Sequence, residues 1–384
     1  MTNWEKSLDR WMKAALIDVP TAERIRAYER EHESNQGLRW PVLLALAFGA
    51  VMLAAGVLLF VAAHWDNLSP AERFTLVLLM VATFHVAGAV LSGKFHGMAI
   101  ALHGIGTATL GAGIFLTGQI FNLQEHWPSG VLMWAIGAGI GWWLLRDWVQ
   151  ATLFALLVPA WLCGEWDVVM ERFYESAGIR ILNSGIVLLA IAYFTGITNS
   201  RKSPLRIALA WIGGIVLIPA TIALAVEGHD WFYNGNPLST KARVFGWLVA
   251  ILAPLGVAFL MRGKNAWMHC IAAAWVIALS SVSATPSGGS LLFYAWHELG
   301  AYFLCAVGAA GLIFWGLHEK RRERINIGVA GFALTILVFY FSEVMDKLGR
   351  SASLIGGGIL FLLVGWFMEK TRRKLIAKVR TATA

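Results

Sequence analysis

Titratable and aromatic side chains interrupt the apolar segments of this sequence, and any chemistry of the chain has to come from them. Most of them end one apolar run or precede the next. A carboxylate that is partly buried at such a position has a raised pKa, which suits it to proton exchange near neutral pH. An adjacent Trp can stack on a bound molecule. The set that we predict to bind a substrate consists of His64, Trp65, Asp66, Gln119, Asn122, Tyr340, Glu343, Asp346 and Arg350.

Three titratable residues are predicted to couple that site to protons. Asp66 directly follows an apolar run, Glu343 ends another, and His103 lies inside a third. A charge in mid-membrane costs about 2.5–3.5 kcal/mol, so its presence there calls for a reason. Two simpler interpretations stay open: a belt of interfacial Trp residues beside carboxylates, and a His that only packs between helices.

The segment 98–121 combines polar side chains with many glycines. His103, Thr107 and Gln119 alternate there with Gly residues that permit close approach of a second helix. Such a helix is either central and satisfied by its neighbours, or it lines a polar cavity. The sequence does not choose between the two.

Several familiar chemistries are excluded by their motifs. His297 and Glu298 begin like the zinc motif HExxH, but Leu-Gly-Ala follows and the second His is missing. The sequence contains no phosphate-binding GxxxxGK[ST] segment, and its three Cys residues show no CxxC spacing. We therefore predict no metal site and no cofactor, identify no catalytic residue, and consider an enzyme less favoured than a protein without catalytic activity.

Composition indicates which elements position these residues. Hydrophobic residues make up 58% of the 384 residues and charged residues only 14%, whereas a soluble domain usually has about 25% charged residues. The apolar surface must therefore face lipid. The net charge of +8 lies in short loops between apolar runs rather than in a patch, which argues against a nucleic-acid partner and for membrane lipids.

Apolar runs of about 20 residues are long enough to span a bilayer as helices. We predict an all-α, polytopic transmembrane bundle of about twelve helices. The predicted spans are 41–63, 74–92, 98–121, 131–145, 148–164, 179–198, 207–226, 244–261, 266–284, 299–317, 327–343 and 353–368. The short pair within 131–164 could instead form a re-entrant hairpin.

Basic residues set the predicted orientation. Most of the 31 Lys and Arg residues fall in the two tails and in every second loop. By the positive-inside rule these parts are cytoplasmic, so both termini lie inside a bacterial inner membrane. The predicted domains are a cytoplasmic hairpin of amphipathic helices (1–40), a transmembrane domain (41–369) and a basic cytoplasmic tail (370–384).

The N-terminal hairpin has one apolar face. Trp4, Leu8, Trp11 and Leu16 recur there at helical spacing. This face could lie on the membrane surface, pack on the protein's own loops, or bind a protein partner.

Three segments resemble an uncharacterised family of bacterial predicted membrane proteins. They are GVLLFVAAHWDNLSPAERF (56–74), GIFLTGQIFNLQ (113–124) and the C-terminal stretch 324–375, with Asp-Lys-Leu-Gly-Arg-Ser at its turn. Phe121 stands where the family pattern would have Tyr. The resemblance implies a membrane location and a similar fold, but it supplies no activity and no catalytic residues.

Three functions are compatible with these features. A secondary transporter or lipid-handling carrier with an outward-facing polar site is favoured. A scaffold or regulatory subunit that docks a partner through the N-terminal helices is the first alternative. The second is an enzyme acting on a lipid-linked substrate, with His64 or His126 as base and Asp66 as its orienting partner.

Overall fold

The structure is a computed structural model in which every described element is helical. It describes residues 8–35 (except 9 and 13), 68–120 (except 94), 126–170, 176–197, 203–226, 238–282 and 291–344. Residues 48, 52, 355–359, 362, 365, 366 and 370 are described as well. The chain divides into two compact units, Met1–Thr75 and Leu76–Ala384.

Eleven helices of the described residues are numbered here in chain order. They are α1 (Val19–Asn35), α2 (Pro70–Leu91), α3 (His96–Ile120), α4 (Trp127–Leu145), α5 (Trp148–Met170), α6 (Ser176–Thr195), α7 (Pro204–Val226), α8 (Thr240–Arg262), α9 (Trp267–Val282), α10 (Leu291–His318) and α11 (Arg322–Phe339). A 3-10 turn, Gly263–Ala266, joins α8 to α9, and a π-helical turn, Tyr340–Val344, follows α11.

The predicted helical membrane protein is confirmed. Among the described residues, nine helical stretches are long and apolar enough to cross a membrane. The stretch Thr240–Val282 contains two helices, α8 and α9, which are joined by the 3-10 turn Gly263–Ala266. Most of the predicted first and last spans falls outside the described residues, so the total of twelve stays a prediction.

The pair of short apolar runs within 131–164 forms two long helices. Helix α4 has 19 residues and α5 has 23, which corresponds to about 28 and 35 Å at 1.5 Å per residue. The structure thus favours two complete spans over a re-entrant hairpin. Both helices are longer than the apolar runs because Trp127 and Met170 extend them at the same end of the pair.

Short polar side chains begin several of the helices. Ser69 and Glu72 each accept a hydrogen bond from the other's backbone N–H, a capping box at the start of α2. Ser203 and Ser239 accept the N–H of the third following residue at the starts of α7 and α8, as does Asp147 at the start of α5. These caps satisfy backbone donors that a helix start leaves without a partner.

The core of the larger unit is apolar. Helices α6, α7, α9 and α10 contribute to it, with Leu188, Leu224 and Leu279 almost completely buried. Tyr193, near the end of α6, donates its hydroxyl to the carbonyl of Ala155, in the second turn of α5. The end of α6 and the start of α5 therefore lie at the same end of the bundle.

The smaller unit shows both sides of the predicted amphipathic hairpin. Leu8 is 1% exposed, whereas Trp11 and Leu16 are 44% and 71% exposed. Trp4 lies outside the described residues. The predicted apolar face is thus divided into a buried part and an exposed part.

Candidate functional site

The structure leaves most of the predicted outward-facing site undescribed. His64, Trp65, Asp66, Asn122, Asp346 and Arg350 lie outside the described residues, and so does the side chain of Glu343. Gln119 is exposed near the end of α3. Tyr340 is buried at the start of the π-helical turn, against Gly357. Whether these residues meet in one site therefore stays a prediction.

A histidine pair joins α2 to α3 inside the predicted spans. The Nδ1 atoms of His85 and His103 are 3.2 Å apart, and the rings stack with centroids 5.5 Å apart. His103 is 7% exposed. Both residues lie about 10 Å along their helices from the turn between α2 and α3, at about 1.5 Å per residue. His103, predicted to couple to protons, thus has a second titratable ring as its partner.

Two glycines provide the space for this pair. A Cβ on Gly88 would lie 2.8 Å from the His103 ring, and one on Gly106 would lie 2.9 Å from the His85 ring. Since real Cβ atoms do not approach ring atoms so closely, any side chain here would displace the imidazoles. The glycines of this region therefore serve ring packing between helices.

Gln150 connects α5 to the same part of α3. It is completely buried, its Nε2 donates to the carbonyl of His103 at 3.0 Å, and its Oε1 accepts the hydroxyl of Thr107 at 3.0 Å. Trp134 of α4 donates its Nε1 to the carbonyl of Thr107 at 2.8 Å. The polar groups in this part of α3 are thus bonded to neighbouring helices.

These contacts decide between the two interpretations of the Gly-rich segment, for its described residues. Gly111 faces the ring of Trp134, and Gly113 faces Val77. Thr109 and Thr117 donate to carbonyls of their own helix. The geometry favours a central, packed helix over the lining of a polar cavity.

A second polar cluster lies where the ends of α6, α8 and α10 meet the start of α11. Glu319 Oε2 accepts from Arg324 Nη1 at 2.7 Å, and Glu319 Oε1 accepts from Arg262 Nη2 and from Trp315 Nε1. The Arg262 and Arg324 side chains are only 1% and 2% exposed, whereas that of Glu319 is 20% exposed. One carboxylate thus bridges two buried guanidinium groups.

The two arginines share further partners. The carbonyl of Thr195 accepts from Arg262 Nη1 at 2.7 Å and from Arg324 Nη2 at 3.0 Å. Each guanidinium carbon lies 5.3 Å from the centroid of the Trp315 ring. The Thr195 carbonyl belongs to the negative end of α6, so both it and the aromatic ring stabilise positive charge.

His269 extends the cluster to the start of α9. Its Nε2 lies 2.8 Å from the Thr195 hydroxyl, and its Nδ1 lies 3.2 Å from the carbonyl of Ala266. A carbonyl only accepts, so Nδ1 carries a proton. Arg206, at the start of α7, donates to the carbonyls of Gly196 and Met261, so that the ends of six helices, α6 to α11, are bonded together.

These neighbours change the pKa of Glu319, which lies outside the candidate spans. Burial by itself raises the pKa of Glu319, but the charge of Arg324 opposes it. Hydrogen bonds from Trp315 and Arg324 and the charge of Arg262 add to that opposition, and together they hold the pKa of Glu319 below its ordinary value. The carboxylate is therefore ionised at neutral pH.

A third polar group lies beside the start of α4 and the end of α5, at the end of this helix pair that is far from Gln150. His126 Nε2 and Glu165 Oε2 are 2.8 Å apart, and Trp161 donates to Glu165 Oε1 at 2.9 Å. Both members of the pair are well exposed, at 43% and 38%. Within the described residues the partner of His126 is thus Glu165, and Asp66, the partner named in the enzyme hypothesis, lies outside them.

Sequence reasoning did not identify Gln150 and Glu319. Gln150 follows Asp147 by three residues at a helix start, a position that resembles an ordinary first turn. Glu319 stands in a run of basic residues, where a solvated ion pair is the simplest interpretation. The one signal for Glu319 was Trp315, an indole donor one turn earlier on the same helix.

Residues 9–151 match the family model described as Predicted membrane protein (DUF2157), a domain of unknown function. This confirms the resemblance to an uncharacterised membrane-protein family over that segment. The match does not reach 324–375, so the resemblance of the C-terminal stretch stays a prediction, as does a bacterial origin. No curated protein and no solved structure matches the chain.

Proposed function

We propose that this protein is a proton-coupled secondary carrier of a bacterial inner membrane, with both termini in the cytoplasm. Its solute would be a small polar molecule or a lipid-linked one. The observation that carries the proposal is the pair of histidines, His85 and His103, with Nδ1 atoms 3.2 Å apart inside two candidate spans. Histidine is the side chain whose ordinary pKa, about 6.5, lies closest to neutral pH.

The chemistry of such a pair couples proton binding to helix position. In the neutral pair one Nδ1–H donates to the other Nδ1. A first added proton makes the donor an imidazolium, and the bond becomes charge-assisted. A second proton leaves two donors facing each other, so the rings must separate. Because the rings belong to α2 and α3, loading and release of protons would bias two arrangements of these helices, as alternating access requires.

The solute site of this proposal consists of the predicted outward-facing residues. Asp66 and Glu343 would hold a cationic or hydroxyl group, Trp65 would stack on the solute, and Gln119 would donate a hydrogen bond. Proton loading at His103 and solute loading at this site would then favour the same helix arrangement. Coupled transport requires that protons and solute both bind one helix arrangement more tightly than the other, because a ligand shifts an equilibrium only by its differential affinity for the two states.

The test uses purified protein in liposomes that contain a pH-sensitive dye. Pools of amino acids, sugars, organic acids and nucleosides are added outside, and solute-dependent proton movement is followed. We expect one pool to move protons with the wild type, and His103→Gln or His85→Gln to reduce that rate at least tenfold. Gln keeps a hydrogen-bonding group but cannot take up a proton.

His96→Gln is the matched control, because His96 is exposed at the start of the same helix α3. It should transport like the wild type. Proton movement no greater than in protein-free liposomes for every pool would refute the proposal. So would unchanged coupling in His103→Gln.

A scaffold or regulatory role is the second candidate, favoured by the exposed apolar side chains of the smaller unit. Trp11 and Leu16 are 44% and 71% exposed. Neighbouring exposed apolar side chains are typical of a face that binds a partner or lipid. If the chain acts only as a scaffold, it moves no protons with any pool, and cells lose its function when residues 8–35 are deleted.

A further inference from the structure

We propose that Arg262 and Arg324 form a binding site for a phosphate group, and that Glu319 occupies this site as a tethered carboxylate. The phosphate could belong to a free anion or to the phosphomonoester headgroup of a lipid. This inference is independent of the proton-coupled transport proposed above, because it concerns binding at helix ends and involves no proton movement.

The charges of the cluster are unequal. Arg262 and Arg324 carry two positive charges, and among the described residues Glu319 is the only carboxylate that bonds to them. Burying an uncompensated charge is costly. The Thr195 carbonyl and the Trp315 ring reduce that cost without supplying a negative ion. A dianion such as phosphate would match the two arginines better than one carboxylate does.

The donors of Arg262 are also incompletely used. Its Nε is buried and has no hydrogen-bond partner among the described residues, while its Nη2 donates to Glu319. Nε and Nη2 form the edge of a guanidinium that binds carboxylate or phosphate through two parallel bonds. The two Glu319 oxygens are divided between the two arginines, so this edge is only half occupied.

A phosphate group fits the donors that are present. Its oxygens could accept from Nε and Nη2 of Arg262 and from Nη1 of Arg324 at the same time, and Trp315 Nε1 could donate to one of them. A single carboxylate has too few oxygens to bridge both arginines and also fill the edge of one of them. The donor set therefore indicates an anion with three or more oxygens.

The position of Glu319 allows its side chain to move out of the space between the two arginines. It follows the last residue of α10, and its side chain is 20% exposed whereas those of both arginines are nearly inaccessible. Lys320, the next residue, has a φ of 54° in a tight turn. A rotation of the Glu319 side chain into solvent would open the site without unwinding a helix. Lys320 and Arg321 would raise the local concentration of anions.

The decisive comparison is between Glu319→Gln and wild type. If Glu319 competes with phosphate, removing its charge strengthens phosphate binding. If the cluster is only a structural ion pair, the same change weakens the fold and creates no affinity. Inorganic phosphate is titrated into the detergent-purified full chain by calorimetry in a phosphate-free buffer. We expect Glu319→Gln to bind at least tenfold more tightly than the wild type.

Three further variants keep this result interpretable. Glu323→Gln is the matched control, because Glu323 is exposed and pairs with Arg321 at 3.4 Å, outside the cluster, and it should bind like the wild type. Glu319→Asp, whose shorter side chain cannot bridge both arginines, should gain affinity as well and serves if Glu319→Gln fails to fold. The double variant Arg262→Met/Glu319→Gln should lose the gain.

Native mass spectrometry of the chain in nanodiscs distinguishes the two possible sources of the phosphate, a free anion and a lipid headgroup. Retained phosphatidic acid, whose phosphomonoester has three free oxygens, but not phosphatidylcholine, that is lost in the Arg262→Met/Glu319→Gln variant identifies a lipid headgroup. Tight binding of inorganic phosphate without a retained lipid identifies a free anion. Phosphate binding that is no tighter in Glu319→Gln and Glu319→Asp than in the wild type overturns the proposal, and so does binding that survives loss of Arg262.

Discussion

Replacing Gly111 by Ala tests whether the Gly-rich helix α3 is packed or lines a cavity. A Cβ at Gly111 would lie 2.2 Å from two carbon atoms of the Trp134 ring. Carbon atoms in contact are about 3.5–4.0 Å apart, so the ring would have to move by about 1.3 Å or more. The indole is rigid and is held by its bond to the Thr107 carbonyl at 2.8 Å. The methyl group therefore cannot be accommodated by a small shift.

The magnitude follows from three contributions. Overpacking costs about 1–3 kcal/mol, and loss of the Trp134–Thr107 hydrogen bond adds about 0.6 kcal/mol in a membrane. The better helix propensity of Ala returns about 1 kcal/mol. Gly111→Ala should thus lower the free energy of unfolding by about 0.6–2.6 kcal/mol.

Gly118 provides the matched control on the same helix, because nothing lies within 4 Å of a Cβ placed there. Gly118→Ala has only the propensity gain, so comparing the two variants cancels that contribution and leaves a difference of about 1.6–3.6 kcal/mol. Unfolding of each variant in mixed detergent micelles is followed by circular dichroism. Equal stability of the two variants would refute the packing of Trp134 on α3 and restore the cavity interpretation.

Two further predictions concern the cluster at the helix ends. Thr195→Val removes the hydroxyl that faces His269 Nε2 and leaves a buried ring nitrogen unpaired, which should cost about 1–3 kcal/mol. Thr221→Val, which loses only a bond within its own helix, should cost less than about 0.5 kcal/mol in the same unfolding assay. Similar losses in both variants would contradict the role of His269. The pKa of Glu319 is lowered in the folded protein, so its contribution to stability is present above the unfolded-state value of 4.5 and is lost as the pH falls through the folded-state value. Wild-type stability should therefore fall more steeply below pH 4.5 than that of Glu319→Gln, and parallel pH profiles would contradict this.

The helices were predictable because their signals are local. An apolar run of sufficient length predicts a span wherever it occurs, and a polar residue such as Asp147 or Ser239 at its start predicts the first turn. The run 131–145 was predicted too short. Trp127 begins α4, and its indole packs against Gly164 of α5 and so belongs to the helix pair.

The polar clusters were not predictable because their members are far apart in sequence. The whole of α9 and α10 lies between Arg262 and Glu319, and α7 and α8 follow Thr195 before Arg262 is reached. Each basic residue, taken alone, satisfies the positive-inside rule and needs no other explanation. Only the packing of α6, α8 and α10 shows that they share a carboxylate.

The histidine pair is an intermediate case. His103 was singled out as a polar residue in an apolar run, and His85 lies in the preceding run. Two helices joined by a short turn are antiparallel, so residues at equal distances from that turn are expected to face each other. His85 and His103 meet this condition, but hydropathy does not reveal which faces of α2 and α3 are in contact. The glycines beside the rings, Gly88 and Gly106, carried that information.

The arginines of the cluster unite two requirements that are usually separate. As loop residues, Arg262 and Arg324 would help to orient the chain during insertion, for which only their positive charge counts. In the folded bundle they are almost completely buried, and there the planar guanidinium counts, because it bonds Glu319, the Thr195 carbonyl and the face of Trp315 together. Lys in either position would keep the orienting charge, but its donors all lie on one nitrogen and it would lose the stacking of the planar guanidinium. Insertion and folding therefore place different demands on the same residue, and it is the demand of folding that requires arginine.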